Sequence, residues 1–180
     1  MRKLIAVVFS IVMFAAASFA QDTPKSEIFA GYSYMRVNPG APLDGENFNG
    51  FNTSGAFNLT SHIGLVGEFN GAYGRNLGAT GIDSDLYSYV FGPRFTLRKE
   101  RFNVFAHTLF GGAHSINRVA GVSAGDNAFA MTLGGGLDLN LAKHFAWRVA
   151  QTDYQLTHFG GDNQNHFRYS TGIVFRLGSK

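Results

Sequence analysis

The sequence contains no cysteine and little proline or charge, and each shortage excludes a class of protein. Without cysteine there can be no disulfide framework, no thiolate catalysis and no cysteine-based metal site. Proline is scarce (4 residues), and charged residues make up only 15% of the chain while hydrophobic residues make up 45%. This composition argues against a disordered protein. At 180 residues, the chain is long enough for one domain with a sizeable core or a small barrel.

Long hydrophobic runs are also missing, except for one at the N-terminus. The basic segment Met1–Lys3 is followed by an apolar stretch from Leu4 to Ala17, and Ser18–Ala20 has the small-x-small pattern that signal peptidase cleaves. This order predicts a secretory signal peptide over residues 1–20 and a mature domain over residues 21–180. A membrane anchor is the alternative, but the apolar run is short for that role.

The net charge of the predicted mature chain is too small to suggest binding to nucleic acid. The isoelectric point of about 9.3 and the net charge of +3 suggest a basic protein. However, Arg2 and Lys3 belong to the predicted signal peptide, and their removal lowers the net charge from +3 to about +1. The sequence therefore predicts no nucleic-acid partner.

After residue 20, no apolar run approaches the roughly 20 residues of a membrane-spanning helix. Large apolar residues instead alternate with small or polar ones, which is the period of a β-strand. Glycine, aromatic and β-branched residues recur throughout and disfavour helices. Eight strands are predicted: Glu27–Val37, Phe51–Leu59, Ile63–Tyr73, Asp85–Leu97, Phe102–Gly111, Ala128–Asn140, Phe145–Thr157 and His166–Leu177.

The links between these strands alternate between short and long. The short ones are Thr60–His62, Arg98–Arg101 and Leu141–His144, and the long ones are Asn38–Gly50, Gly74–Ser84, Gly112–Asn127 and His158–Asn165. A meander with one tight end and one elaborated end is typical of outer-membrane barrels. We therefore predict an all-β fold, an eight-stranded antiparallel up-and-down transmembrane β-barrel. Its short turns and both termini would lie on the periplasmic side, with four loops outside the cell.

A soluble up-and-down barrel is the structural alternative, and it would place the apolar faces inside. In the sixth predicted strand Phe129 and Leu133 share a face opposite Thr132, and in the fourth Phe91 lies on the face opposite Arg94. A small barrel has interior room only for modest side chains, so the bulky faces are predicted to point outward into lipid. The seventh strand leaves one ambiguity, because Trp147 has the same parity as the polar Gln151 and Asp153. A bulge would explain it.

If the polar faces point into the lumen, their charges need partners, because an isolated buried charge is unfavourable. Counting residues from the tight ends places opposite charges at similar heights on neighbouring strands. Three pairs are predicted: Glu68 with Arg94, Asp153 with Arg168, and Glu27 with Arg176. They would form a plug. A gate for ions or a proton relay is the functional alternative.

The last strand carries a recognisable pattern. Ser170, Gly172, Phe175 and Leu177 match polar-x-Gly-x-x-aromatic-x-hydrophobic, and the stretch resembles the C-terminal assembly signal of outer-membrane proteins. It departs from the usual form in two ways. Three residues follow Leu177, and at the position of Leu177 itself phenylalanine is the commoner residue.

The whole mature chain resembles the small OmpA-like or OmpX-like outer-membrane barrels, also grouped as porin-family proteins. The segment 27–34 looks like their first strand, and the segment 91–95 like their fourth. The resemblance implies a monomer in the outer membrane of a Gram-negative-type bacterium, in contact with outer-membrane lipid. It also implies that periplasmic chaperones and the barrel-assembly machinery act during its biogenesis. The implied role is structural, or interaction at the cell surface through the four loops, with no ligand specified.

Catalytic and metal sites are not apparent. His166 and Ser170 share a strand face, but four residues along a strand is about 13 Å, too far for a hydroxyl–imidazole hydrogen bond. Asp83 and Asp85 could hold a weak calcium ion, although solvated loop carboxylates explain them as well. We expect no enzyme, no cofactor and no metal. A narrow channel is the main alternative function, and a lipid-modifying barrel enzyme is a third. Because an open aqueous pore needs about sixteen strands, the channel is disfavoured.

Overall fold

The computed structural model describes residues 23–38, 45–77, 81–119, 122–159 and 162–178. These form eight strands that pair in sequence order and close into an antiparallel barrel. The strands are β1 (Ser26–Asn38), β2 (Glu46–Asn58), β3 (Ile63–Leu77), β4 (Ile82–Arg98), β5 (Phe102–Val119), β6 (Val122–Asn140), β7 (Phe145–Phe159) and β8 (Asp162–Leu177). The predicted eight-stranded all-β fold is confirmed. The predicted signal peptide lies outside the described residues.

Closure of the barrel is made by the first and last strands. β1 pairs with β8 from Ser26 opposite Leu177 to Asn38 opposite Asn165. None of the eight described strands is left with an unpaired edge, which removes the usual template for aggregation. In the part of the chain that the structure describes, no helix is long and apolar enough to cross a membrane.

The strands are longer than predicted mainly at one end of the barrel, since at the tight end only β1 and β4 gain a residue each. At the tight end β3, β5 and β7 begin at the predicted residues. At the other end the predicted long links are mostly strand, and β5 continues to Val119 while β6 begins at Val122. The prediction of a loop over Gly112–Asn127 was therefore wrong. A composition rich in glycine, asparagine and aspartate suggested a loop, but the ladder pairing of the hairpin continues to Val119 opposite Val122.

The predicted assignment of the faces is confirmed. Phe91 is 71% exposed on the outside of β4, while its neighbours Val90 and Arg94 are buried inside. On β6, Phe129 and Leu133 are exposed and Thr132 is buried. The bulky apolar side chains therefore cover the outer surface, which is the reverse of a soluble barrel.

A β-bulge in β7 settles the orientation of its side chains. Pairing with β8 shifts register between Arg148 and Gln151, and pairing with β6 shifts at Leu137 and Asp138. The extra residue inverts the alternation along β7. Trp147 is thus 42% exposed on the outside, while Arg148 and Gln151 both point inward.

Side chains of β8 satisfy the carbonyl groups that the bulge removes from the ladder. The Tyr169 hydroxyl donates to the carbonyl oxygen of Val149 at 2.8 Å, and the Thr171 hydroxyl donates to that of Arg148 at 2.9 Å. The Trp147 indole N–H donates in turn to the Thr171 hydroxyl at 3.2 Å. A shielded carbonyl without a partner costs about 1–3 kcal/mol, so these bonds stabilise the bulge.

The Tyr169 hydroxyl is expected to stabilise the fold measurably. Tyr169→Phe removes the hydrogen bond to Val149 and should lower the free energy of unfolding by about 1 kcal/mol. Tyr154→Phe is the matched control, since Tyr154 lies on the outer face of the same strand pair and its hydroxyl makes no hydrogen bond within the described residues. Denaturant unfolding in lipid measures both, and equal stabilities of the two variants would contradict the role of the hydroxyl.

Candidate functional site

The barrel interior contains a cluster of fully buried charges at mid-height. Glu68 of β3, Asp153 of β7 and Arg168 of β8 point inward because each lies on the polar face of its strand. The Arg168 guanidinium donates from Nε and Nη2 to Asp153 Oδ2 at 3.0 and 2.6 Å, and its Nη2 also contacts Glu68 Oε1. His107 of β5 places its Nε2 atom 2.8 Å from Asp153 Oδ1. One arginine thus joins two carboxylates that lie on non-adjacent strands.

Neutral side chains extend this cluster across the lumen. The Gln151 amide donates to Glu68 at 2.9 Å and to Asp153 at 2.8 Å. The Asn52 amide donates to Glu68 at 3.2 Å and to the Ser170 hydroxyl at 3.4 Å. We call this set the central polar layer; it comprises Ser33, Asn52, Glu68, His107, Gln151, Asp153, Arg168 and Ser170. Its members come from β1, β2, β3, β5, β7 and β8.

A second ion cluster lies nearer the tight end. Glu27 of β1 accepts from Arg94 at one carboxylate oxygen and from Arg98 Nη1 at the other, the latter at 2.8 Å. The Asn58 amide lies 3.3 Å from Glu27 Oε1. Both arginines belong to β4, which is not a neighbour of β1, so these ion pairs also cross the lumen.

Arg98, which was predicted to lie in a short turn, is one interior charge that the sequence did not reveal, and Arg148 is another. The Nε and Nη2 atoms of Arg148 donate to the two carboxylate oxygens of Asp138 at 2.8 and 3.1 Å. The guanidinium carbon lies 4.3 Å from the ring centres of both Phe29 and Phe105, which are buried. Such cation–π contacts stabilise a cation that water does not reach. The bulge hid this residue from parity counting, and the signal for it was the lack of any other partner for Asp138.

An apolar cluster fills the interior on the other side of the central polar layer. Met35, Phe48, Leu86 and Leu109 are buried together there, toward the ends of the strands that carry the long links. The interior is therefore occupied by hydrogen-bonded charges at mid-height and by apolar side chains between these charges and the end with the long links.

The predicted charge pairs are brought together in one case of three. Asp153 and Arg168 form an ion pair at 2.6 Å. Glu68 and Arg94 do not pair with each other: Glu68 contacts Arg168 instead, and Arg94 contacts Glu27.

The reason that Glu68 and Arg94 stay apart is the stagger of neighbouring strands. Glu68 lies opposite Val90, and Arg94 lies opposite Gly64, so the two differ by four positions along the ladder. β3 and β4 are joined at the end with the long links, and at the tight end β4 extends past β3. Counting from the turns does not show this stagger, which every tilted barrel requires.

Glu27 and Arg176 are cross-strand neighbours where the barrel closes, but they do not form an ion pair in the described residues. Glu27 is taken by the two arginines of β4. Arg176 Nη2 donates to the Asn140 side-chain oxygen at 2.7 Å. The Glu27 carboxylate therefore binds arginines across the lumen rather than Arg176 on the neighbouring strand β8.

The residues of the predicted assembly signal occupy both faces of β8. Ser170 is buried in the central polar layer, while Phe175 and Leu177 point outward. The Phe175 ring packs edge-on against Phe145, with centroids 5.0 Å apart. At Gly172, a Cβ atom would lie 2.3 Å from the Ala30 carbonyl oxygen, so the seam requires glycine there. Their role in assembly stays a prediction.

The candidate catalytic and calcium-binding residues are engaged elsewhere. His166 Nε2 lies 2.9 Å from the Thr157 hydroxyl, and Ser170 contacts Asn52. Asp85 binds Arg75 at 2.5 Å and Arg118 at 2.7 Å, which leaves it unsuited to calcium. Across residues 23–178, apart from the gaps between the described ranges, no group of three or more metal-ligating side chains is present.

The couplings in the polar interior can be tested with double-mutant cycles. Glu68→Gln and Arg168→Gln should each lower the free energy of unfolding by about 3–5 kcal/mol, because each leaves a buried charge without its partner. Together they should show an interaction energy of about 1–3 kcal/mol. Glu68→Gln with Arg94→Gln is the matched control and should be additive to within about 0.5 kcal/mol, because these two side chains do not touch. Denaturant unfolding in lipid gives both values, and the reverse pattern would contradict the observed pairing.

Comparison with known proteins supports the fold alone. No family model and no curated protein matches the chain. Among solved structures it is similar to Ail, the attachment invasion locus protein of Yersinia pestis, with 23% identity, TM-score 0.59, and 85% of this chain and 99% of Ail covered. It is also similar to Neisserial surface protein A, with 10% identity, TM-score 0.73, and coverage of 85% and 97%.

The N-terminal barrel domain of Pseudomonas aeruginosa OprF is similar as well, with 13% identity, TM-score 0.53, and 86% of this chain and 100% of that domain covered. The closed, eight-stranded antiparallel barrel described above is therefore the fold of the small outer-membrane β-barrels.

Proposed function

We propose that this protein is an integral outer-membrane barrel with a closed interior, which acts as a structural or surface-interaction protein rather than as a conduit. The likeness of its fold to Ail, Neisserial surface protein A and the OprF barrel supports the location. The outer surface supports it too, since large apolar side chains such as Phe69, Phe91 and Leu133 are exposed around the barrel. In water such a surface would aggregate, whereas lipid accommodates it.

The proposed orientation places the three short turns in the periplasm and the longer hairpins outside the cell. In this orientation the β5–β6 hairpin carries its strand pairing as far as Val119 opposite Val122. It would form a stiff projection rather than a loose loop. The name of the similar barrel, attachment invasion locus protein, describes a surface role for that protein, and a role of this kind fits the projecting hairpins here.

The closed interior rests on one observation: Arg168 is 0% exposed at the centre of the lumen and bridges two carboxylates. An ion that passed this point would have to separate the Arg168 guanidinium from Glu68 or Asp153. Breaking a buried pair of this kind costs about 3–5 kcal/mol. The apolar cluster, on the side of the long links, adds a segment in which an ion would lose its hydration shell without gaining polar partners.

A narrow conduit for water or small ions is the second candidate, and a specific observation favours it. Several interior polar atoms have no hydrogen-bond partner within the described residues, among them both amide atoms of Gln155 and the side-chain oxygens of Asn52 and Asn70. Buried polar atoms of this kind usually bind water. An enzymatic role has no comparable support, since His166 and Ser170 do not meet.

Planar-bilayer recording separates the two candidates. The refolded wild-type barrel should show no steady conductance, because Arg168 and its partners close the lumen. A sixteen-stranded porin in the same bilayers serves as the positive control. Two results together would contradict the closed interior and support the conduit. The wild type would show long-lived channels, and Arg168→Gln would change their ion selectivity without loss of folded protein.

Assembly in cells can be tested at the end of β8. We propose that Ser170, Gly172, Phe175 and Leu177 act as the signal read by the barrel-assembly machinery after delivery by periplasmic chaperones. Phe175→Asp should lower the amount of heat-modifiable, folded protein in the outer-membrane fraction several-fold, because it spoils the pattern and places a charge on the lipid face.

Phe145→Asp is the matched control for this experiment. Phe145 packs against Phe175 on the same outer face but lies outside the C-terminal pattern. If the pattern is read as a signal, Phe175→Asp should assemble less well than Phe145→Asp in cells, while the two variants refold equally well in detergent. Equal loss in cells would show that only the charge on the lipid face matters. Absence of the wild type from the outer-membrane fraction would contradict the proposed location itself.

A further inference from the structure

The tight end of the barrel opens into a cavity rich in cations. The cavity has a volume of about 410 Å³, and its lining includes Arg98, Lys99, Lys143 and Arg176, with Glu100 as the one acidic residue among the described residues. We call it the basal cavity. The two lysines belong to the short turns, while the two arginines project from the ends of β4 and β8.

The two arginines of the basal cavity carry buried N–H groups that have no acceptor. Arg98 and Arg176 are each only 8% exposed. Arg98 uses Nε for the Ser61 carbonyl and Nη1 for Glu27, but its Nη2 has no partner among the described residues. The Nε of Arg176 likewise has none. A buried guanidinium N–H without an acceptor is unfavourable. Arg94 Nε and Arg168 Nη1, which do not line the cavity, also lack acceptors among the described residues, so the orphan N–H groups alone do not mark a site. Four cations in one lining, two of them guanidinium groups with unused donors, point to an anionic ligand that accepts hydrogen bonds.

The carboxylates nearby cannot balance these cations. Glu27 is shared between Arg94 and Arg98, and Asp138 is bound on both oxygens by Arg148. Arg176 therefore has a neutral amide, that of Asn140, as its partner. Among the described residues, Arg94, Arg98, Arg148 and Arg176 thus share two carboxylates, and the interior end of the cavity keeps a net positive charge.

We propose that the basal cavity binds a phosphate group, and that the group belongs to a glycerophospholipid. Guanidinium groups suit phosphate because they donate several parallel hydrogen bonds, and lysine ammonium groups add charge at the rim. Leu141, which also lines the cavity, is 64% exposed, so the rim is apolar on that side. Phe102, Phe145 and Leu177 are exposed on the outer surface at the same end of the barrel, and the headgroups of a surrounding bilayer would meet it there.

The site for phosphate follows from the cavity alone, whereas its assignment to a lipid rests on the proposed location in the outer membrane. A soluble phosphate ester would satisfy the same donors. The experiments below separate these two sources, and the membrane-fractionation experiment tests the location independently.

Binding can be followed directly at the arginine side chains. The ¹⁵N-labelled barrel, refolded in a non-ionic detergent without phosphate, is titrated with inorganic phosphate against chloride at equal ionic strength. The Nε–Hε signals of Arg176 and Arg98 should shift and saturate with phosphate, while that of Arg36, at the opposite end of the barrel, should not move. The absence of any saturable shift at Arg176 would overturn the site.

Variants at the rim test which charges take part. Lys99→Gln with Lys143→Gln should weaken phosphate binding, by about fivefold for each lysine. Arg101→Gln is the matched control, because Arg101 is exposed in the same turn as Lys99 but does not line the cavity. An equal effect of Arg101→Gln would show only a general attraction of anions and would overturn the site. Both variants change exposed residues, so the fold should be retained.

The source of the phosphate is tested with matched ligands. Short-chain phosphatidylglycerol in the detergent micelle is compared with water-soluble glycerol phosphate and with a diacylglycerol that lacks the phosphate. Saturation by phosphatidylglycerol at a concentration at least tenfold below that of glycerol phosphate, with no effect of diacylglycerol, supports the lipid. Equal affinities for phosphatidylglycerol and glycerol phosphate would overturn the lipid assignment and leave a site for soluble phosphate esters.

Discussion

The interior of this barrel depends on the contact of one guanidinium with two carboxylates. Arg168 lies where no water reaches it and binds Asp153 on the neighbouring strand and Glu68 across the lumen. In such a place each charge strongly stabilises the others, and each would be strongly destabilising alone. The strands must therefore close at a distance and in a register that allow these contacts, and neutral residues of the central polar layer add hydrogen bonds to the two carboxylates.

The small interior of an eight-stranded barrel explains why its apolar residues lie outside and its polar residues inside, which is the reverse of the usual arrangement. Eight strands enclose too little space for the bulky faces, so these cover the outside and the short polar side chains fill the inside. Buried arginines then replace much of the apolar volume of an ordinary core. Arg148 shows how this is possible, since its charge is met by Asp138 and its planar surfaces by two phenylalanine rings.

The proposed function directs attention to the two ends of the barrel. If the polar layer and the apolar cluster close the middle, as we propose, an activity that involves other molecules would lie in the projecting hairpins or at the tight end. The tight end is distinguished by charge, because its arginines outnumber the carboxylates that reach them within the described residues. In the middle of the barrel, by contrast, Arg168 has two carboxylate partners.

The sequence by itself determined the number of strands, their faces and the tight turns. Alternation with a period of two depends only on local backbone geometry, and the starts of β3, β5 and β7 follow directly from their short turns. The partners of the interior charges were decided by the tertiary structure. The stagger between strands separates Glu68 from Arg94, and the bulge in β7 turns Arg148 inward and Trp147 outward. The extent of the hairpins was decided in the same way, because strand pairing outweighed the loop-like composition of residues 112–127. Stagger, bulges and hairpin length arise from hydrogen bonds between strands, and no pattern within a single strand records them.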